Sequence, residues 1–385
     1  MAEKNQSGDF TRLFRILGFF WAFGFGIFAT VASLTLESAG LSHWEIGLQS
    51  SAYYLCIGLS SLFVPWIISL FGKRCVFFGM VMAGLTCLVF PLAGDWYSWM
   101  LLRGGNGLAA AMSLVPLETM VIQQSPVEKK NRFFGYFELS LALGFGAGGA
   151  LGPALETVKP GLSYLLGGTV ILLGAVLALP IPTSLAQEQR LEGPSPSRVL
   201  KCWVWFSTAF TQGFLEGGLL TFAGLQIIGL GYGNREVAFV FASMFFGVVV
   251  SMLGVARLAD RFGGIRILAL THGISLLLLM GLSFSNSINW IITLVWGVGL
   301  AYGCQYAIAL VALEKEFPKS QQPGANALYL ALNCLGSVLG PVLISLFPFG
   351  MGLNSLWQAG AFPILVLILA WLGMACLRPG RTGNW

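Results

Sequence analysis

The sequence predicts an all-α integral membrane protein of twelve transmembrane helices, arranged as two pseudo-symmetric six-helix bundles. Three observations predict it. First, 56% of the 385 residues are hydrophobic and only 10% are charged, with a mean hydropathy of +0.79. A soluble domain carries roughly 25% charged residues, so this chain lacks the polar side chains to cover its apolar surface in water. Second, the apolar runs last about twenty residues without polar–apolar alternation, which is the signal of a membrane helix and not of a barrel strand. Third, sequence landmarks repeat at a nearly constant offset, as described below.

The elements follow in order. Apolar runs place the first six spans near Leu13–Leu36, Glu45–Leu70, Arg74–Ala93, Trp96–Ile122, Arg132–Leu155 and Gly161–Ile181. The segment from Pro182 to Leu200 is rich in Pro, Ser, Gln and charge, and is the longest stretch that lipid would not accept. The second six spans lie near Lys201–Gly229, Arg235–Arg257, Ile265–Phe284, Ile288–Leu313, Gly324–Phe347 and Leu353–Leu377. The expected organisation is therefore an N-terminal bundle over 1–181, a cytoplasmic linker over 182–200 and a C-terminal bundle over 201–385. The first run follows Arg12 and Arg15 but is too long for the apolar part of a signal peptide, and is read as an uncleaved span.

Charge sets the orientation. With twelve spans both termini share one side, and placing them in the cytoplasm puts all but three of the 21 Lys and Arg there. The exceptions are Lys159 and Arg235, which face outward, and Arg103, which lies within a span. The expected location is a bacterial-type inner membrane. The seven cysteines are odd in number and lack C-x-x-C spacing, which speaks against a disulfide frame or a zinc site. His43 and His272 are too far apart in sequence to suggest a metal site, and they are assigned no role. No phosphate-binding glycine loop, metal cluster or nucleophile–base pair is apparent, so no cofactor, metal, enzymatic activity or ATP-driven transport is expected, and no nucleic-acid partner.

Gly72 and Gly263 follow the second and eighth spans, 191 residues apart. Asn106-Gly107-Leu108-Ala109 in span 4 answers Val298-Gly299-Leu300-Ala301 in span 10, 192 apart, and Gly152-Pro153 in span 5 answers Gly340-Pro341 in span 11, 188 apart. Three landmarks in the same order argue for duplication of a six-helix unit with both copies in the same orientation.

Over its whole length the chain resembles the major facilitator superfamily of transporters. The family's loop motif G-x-L-A-D-R-x-G-R-K is matched best by Ala256-Arg257-Leu258-Ala259-Asp260-Arg261-Phe262-Gly263-Gly264-Ile265-Arg266. The resemblance implies that Asp260, Arg261, Gly263 and Arg266 help lock the cytoplasmic ends of the halves. The first-half counterpart is degenerate, with Ser69 in the aspartate's place, followed by Gly72, Lys73 and Arg74. In span 4, Arg103-Gly104-Gly105-Asn106-Gly107-Leu108-Ala109-Ala110 is similar to the family's R-x-x-Q-G-x-x-A signature, with Asn106 for Gln. Gly148, Gly152 and Pro153 resemble the start of the family's antiporter motif, and Gly336, Gly340 and Pro341 repeat it. The alternative is that both are packing and bending seams.

Titratable groups inside spans are costly and point to function. These are Arg103, Glu118, Glu138 and Glu216. Arg103 is read as facing the cavity, with snorkelling to the outer surface as the alternative. Glu216, beside Gln212, Gly213, Gly217 and Gly218, lies near the middle of span 7, which the resemblance places at a central cavity. A carboxylate there can carry a proton or meet a cation; the alternative is a hydrogen-bonded structural glutamate. Glu118 and Glu138 lie nearer the cytoplasmic side, as gate, structural pair or substrate contact. Span 10 offers Trp296, Tyr302, Gln305 and Tyr306, of which Tyr302 and Tyr306 share a helix face.

The reading is a secondary active transporter that carries a small-molecule substrate across the lipid bilayer by alternating access, with proton-coupled antiport or export as its form. Protons or another ion are the expected coupling partner, and a monomer is the expected state. An uncoupled facilitator and a transporter-like membrane scaffold or assembly factor remain as alternatives.

Overall fold

The computed structural model describes residues 2–71, 74–124, 130–181, 194–346 and 355–377. The described residues form fourteen helices and no strand. The first six are α1 (Ala2–Ser38), α2 (His43–Phe71), α3 (Cys75–Val89), α4 (Trp96–Gln124), α5 (Lys130–Val158) and α6 (Leu162–Leu177), with a 3-10 turn at Phe90–Leu92. After them come α7 (Pro196–Lys201), α8 (Trp203–Gly229), α9 (Asn234–Phe262), α10 (Gly264–Ser283), α11 (Ile288–Tyr302), α12 (Gln305–Glu316), α13 (Gln322–Ser345) and α14 (Ser355–Leu377). Among the described residues, eight stretches are long and apolar enough to cross a membrane, including Arg12–Ser38, Asn234–Ala259 and Ile288–Leu313, and α6 is a shorter apolar helix.

Each expected span has a helix at its place, with one departure. The tenth is divided into α11 and α12 by a turn at Gly303–Cys304. There the chain lies close against α9: a Cβ on Gly303 would be 2.8 Å from the Val248 Cα. The end of the expected linker forms the short helix α7, and Cys202 turns the chain into α8, which fills the seventh span.

Local chemistry fixes several ends. Ser42 and Glu45 form a capping box for α2: the Ser42 N–H donates to Glu45 Oε2 at 2.8 Å, and the Glu45 N–H donates to Ser42 Oγ at 3.4 Å. Asp95 caps α4 by accepting from the backbone N–H groups of Ser98 at 3.0 Å and Tyr97 at 2.9 Å. The bonds from Ser98 and Tyr97 hold the Asp95 carboxyl below its ordinary range. Gly263 turns α9 into α10 at φ +95°, a conformation that side chains with a Cβ resist.

The chain divides into two compact units: residues 1–188 with 232–245, and residues 189–231 with 246–385. In unit 1, α1 packs on α5 and α6, α2 on α4, and α3 on α4 and α6. In unit 2, α8 packs on α13 and α14, and α10 on α11 and α14. The pairings repeat with the six-helix period of the sequence landmarks. The opening turns of α9 belong to unit 1 because Phe245 lies over Gly146 and packs on Phe145, with ring centroids 5.1 Å apart.

The tightest pair in each unit is a glycine seam. On α5, Gly144, Gly148 and Gly152 step by four residues along the carbonyls of Phe19, Phe23 and Ile27 on α1, and a Cβ on Gly144 or Gly152 would lie 2.6 Å from its carbonyl oxygen. On α13, Gly336 and Gly340 abut the carbonyls of Phe210 and Phe214, while Gly213 and Gly217 on α8 abut those of Asn333 and Ser337. Small residues let the backbones approach and trade side-chain volume for dispersion along the whole helix. Pro153 and Pro341 lie within these helices, each just beyond the last seam glycine.

Candidate functional site

Unit 1 encloses Arg103. Its side chain, on α4, is only 4% exposed. One Nη donates to Ser50 Oγ on α2 at 3.2 Å, and the guanidinium carbon lies 5.3 Å from the Phe28 ring centroid and 5.9 Å from that of Phe90. Phe90 stacks on Tyr164, and Phe28 meets both edge-on. Tyr53 and Tyr54 are close enough to interact with the charge. No carboxylate pairs with Arg103 among the described residues, and its Nε finds no acceptor there. Ring faces therefore carry most of the burden of holding this cation away from water. The guanidinium turns into the bundle between α1, α2 and the end of α3, so snorkelling does not describe its placement.

Three residues along α4, Asn106 is buried and donates through Nδ2 to Thr86 Oγ1 on α3 at 2.9 Å. Its Oδ1 is without a partner among the described residues. Arg103 and Asn106, adjacent in the motif, thus bond to different helices.

Unit 2 presents Glu216. It lies on α8, half-buried, one turn from Gln212 and flanked by the seam glycines Gly213 and Gly217. Among the described residues no hydrogen bond or ion pair reaches its carboxylate. The Gln212 carbonyl accepts from the Tyr302 hydroxyl at 2.9 Å, which ties the end of α11 to α8, and Gln212 Oε1 is buried without a partner among the described residues. This places Glu216, Gln212 and Tyr302 in one neighbourhood. Gln305 instead turns to α10, donating to Ser275 Oγ at 3.4 Å, and the Tyr306 carbonyl accepts from Tyr329 at 2.9 Å. Trp296 is partly exposed and offers its backbone oxygen to the close approach of Gly247.

Glu118 and Glu138 are brought together, α4 against α5, near enough to repel one another. Of the loop residues, Gly72 and Lys73 lie outside the described residues, as do the side chains of Ser69 and Asp260. Arg74 is exposed at the start of α3; Arg261 is exposed over the Phe262 ring, and Arg266 is exposed on α10.

The cage around Arg103 was not foreseeable from sequence, because Phe28, Ser50, Phe90 and Tyr164 come from four other elements at irregular separations. His272 was likewise passed over. It is fully buried on α10, its Nδ1 donates to the Leu268 carbonyl at 2.8 Å, and its ring lies 5.5 Å from that of Trp371.

Comparisons with known proteins bear on this arrangement. The family model described as Major Facilitator Superfamily matches residues 16–341 and 205–384. An uncharacterised MFS-type transporter of Bacillus subtilis (strain 168), YfkF, is 24% identical over 369 residues, covering 93% of this chain and 92% of its own. The crystal structure of the nucleoside transporter NupG superposes with a TM-score of 0.74 at 13% identity, over 94% of this chain and 98% of that one. A bacterial homologue of the human lysosomal transporter Spinster, inward-facing and occupied, gives 0.69 at 13% identity, over 96% and 94%.

Proposed function

This chain belongs to the major facilitator superfamily and is a membrane transporter, and from that premise we propose that it moves a small solute by alternating access, driven by proton exchange at Glu216. The observation that carries the proposal is the state of that carboxylate. A carboxylate within a span costs several kcal/mol, on the order of 3, unless it is protonated, paired or wet. No cation or donor reaches Glu216 among the described residues and the residue is only half-buried, so water accommodates its charge while the site is open, and protonation or solute binding must do so when the site closes. A group that must give up its charge or find a partner in each state of a cycle is suited to coupling.

Arg103 does not compete for this role. Its charge is dispersed over fixed aromatic faces, which suits a permanent part of the bundle. The glycine–proline seams are accounted for by close helix packing, so exchange of solute for protons is inferred from Glu216 alone.

The orientation that accompanies this reading places both termini in the cytoplasm of a bacterial-type inner membrane. Single cysteines at Ser42 and Ser197, both exposed, test it: a membrane-impermeant thiol reagent added outside should label position 42 and spare 197. The reverse pattern overturns the orientation. Function is tested in proteoliposomes, where wild-type protein should couple solute movement to proton movement and Glu216→Gln should fold normally while losing the coupling.

A further inference from the structure

The turn between α12 and α13 and the short helix α7 form one fixed corner of unit 2. An Arg198 Nη donates to the carbonyl of Glu316, the last residue of α12, at 3.2 Å. The Ser195 N–H donates to Gln321 Oε1 at 3.3 Å. Beneath these bonds Val199 packs on the buried core, and Phe206 meets Phe317 edge-on at 6.4 Å. The backbone here is held by side chains from both ends of the corner, so the side chains it displays start from set backbone positions.

What it displays is basic and apolar together. Arg198, Lys201, Lys315 and Lys319 are all exposed, against Glu316 and a second α12 carboxylate, Glu314, whose side chain lies outside the described residues. Leu200 is 75% exposed. The corner stands where α8 begins and α12 ends, at the boundary of two membrane spans. A leucine that water disfavours, set among cations at the end of a span, matches the layering of a bilayer surface, with phosphates outermost and acyl chains beneath. Arg198 spends one donor on the end of α12 and keeps others for a phosphate oxygen.

We propose that this corner is a binding site for one anionic phospholipid, its phosphate held by Arg198, Lys201, Lys315 and Lys319 and its acyl chain covering Leu200. The site is independent of Glu216 and of solute transport. Basic residues at span ends also arise from orientation alone, and the exposed cluster Arg257, Arg261 and Arg266 around Gly263 supplies the comparison that separates the two explanations.

The experiment uses the full chain in neutral detergent, titrated with phosphatidylglycerol or phosphatidylcholine and read by native mass spectrometry. Wild-type protein should retain one phosphatidylglycerol in preference to phosphatidylcholine. Lys201→Gln/Lys315→Gln/Lys319→Gln, which keeps the bond from Arg198 to Glu316, should weaken retention about fivefold per charge removed. Leu200→Ser should weaken it several-fold, about as expected for loss of a leucine side chain from lipid. Arg257→Gln/Arg261→Gln/Arg266→Gln should leave it unchanged. Equal retention of the two lipids, or equal loss from both charge-removing triples, overturns the site. Full competition by glycerol phosphate with no effect of Leu200→Ser also overturns it, by showing a site for soluble anions.

Discussion

The α1–α5 pair and the α8–α13 pair are built on one plan, yet Arg103 of the first unit and Glu216 of the second are treated in opposite ways. Both pairs set glycines against carbonyls at four-residue steps. In unit 1 the buried charge, Arg103, is wrapped by Phe28, Phe90 and Ser50. In unit 2 the carboxylate of Glu216 stands beside the seam with no partner among the described residues. The repeated scaffold thus carries a cation packed among rings in one copy and a carboxylate without a partner among the described residues in the other. The lesson is that repeat symmetry constrains backbone packing far more than it constrains polar chemistry.

The largest effects should come from breaking the shared plan. Gly148→Leu and Gly213→Leu each drive a side chain into a facing carbonyl, and each should cost about 3 kcal/mol or more, at or beyond the upper end of ordinary overpacking. Loss of the monodisperse species in size-exclusion chromatography checks both. If only one of the two fails to fold, the seams are not equivalent and the comparison breaks at its base.

Next in size is Arg103→Ala. It removes the guanidinium packed against Phe28 and Phe90 and should lower stability by about 2–4 kcal/mol, read as thermal unfolding in detergent. Arg103→Met sharpens the result, because it refills the volume without the charge. Recovery of stability in the methionine variant would assign the cage to packing, whereas continued loss would assign it to the cation–ring attraction. Glu216→Gln, by contrast, should unfold no earlier than wild type, since it removes an unpaired carboxylate and no hydrogen bond.

The smallest effect is expected at Asn106. Asn106→Ala gives up the bond to Thr86 and should cost about 1 kcal/mol. Combining it with Thr86→Ala should cost less than the sum of the two, because they share that bond, although Asn106 also donates to Cys87 Sγ at 3.7 Å and Thr86 to the Ala83 carbonyl at 2.9 Å. Fully additive losses would mean that the shared bond contributes nothing.

Much of the fold was legible in the sequence, because hydropathy over twenty-residue windows reports directly what lipid requires of a span. The glycines of the seams were legible for the same reason, as small residues at helical spacing. The break at Gly303 was not, since the turn's close approach to Val248 on another helix leaves no mark in the sequence around it. Nor was α7, a helix at the end of the expected linker, where Arg198 and Ser195 follow partners more than a hundred residues away. The site was legible as residue types only. Arg103 and Glu216 stand out by their charge, but nothing in spacing distinguishes a caged group from an unpartnered one. Asn106 illustrates the limit: it is three residues from Arg103 in one motif, yet it bonds to α3 while Arg103 bonds to α2.

The central claim is that Glu216 couples proton movement to solute movement. Proteoliposomes on a solid-supported membrane, challenged with solute jumps from a panel of small metabolites, test it directly. For any solute that evokes a wild-type current, an imposed pH gradient should change the size or sign of that current. In Glu216→Gln the solute should still bind, by thermal shift, while the pH gradient has no effect on the current. A Glu216→Gln protein whose currents respond to the pH gradient as the wild type's do would contradict the account.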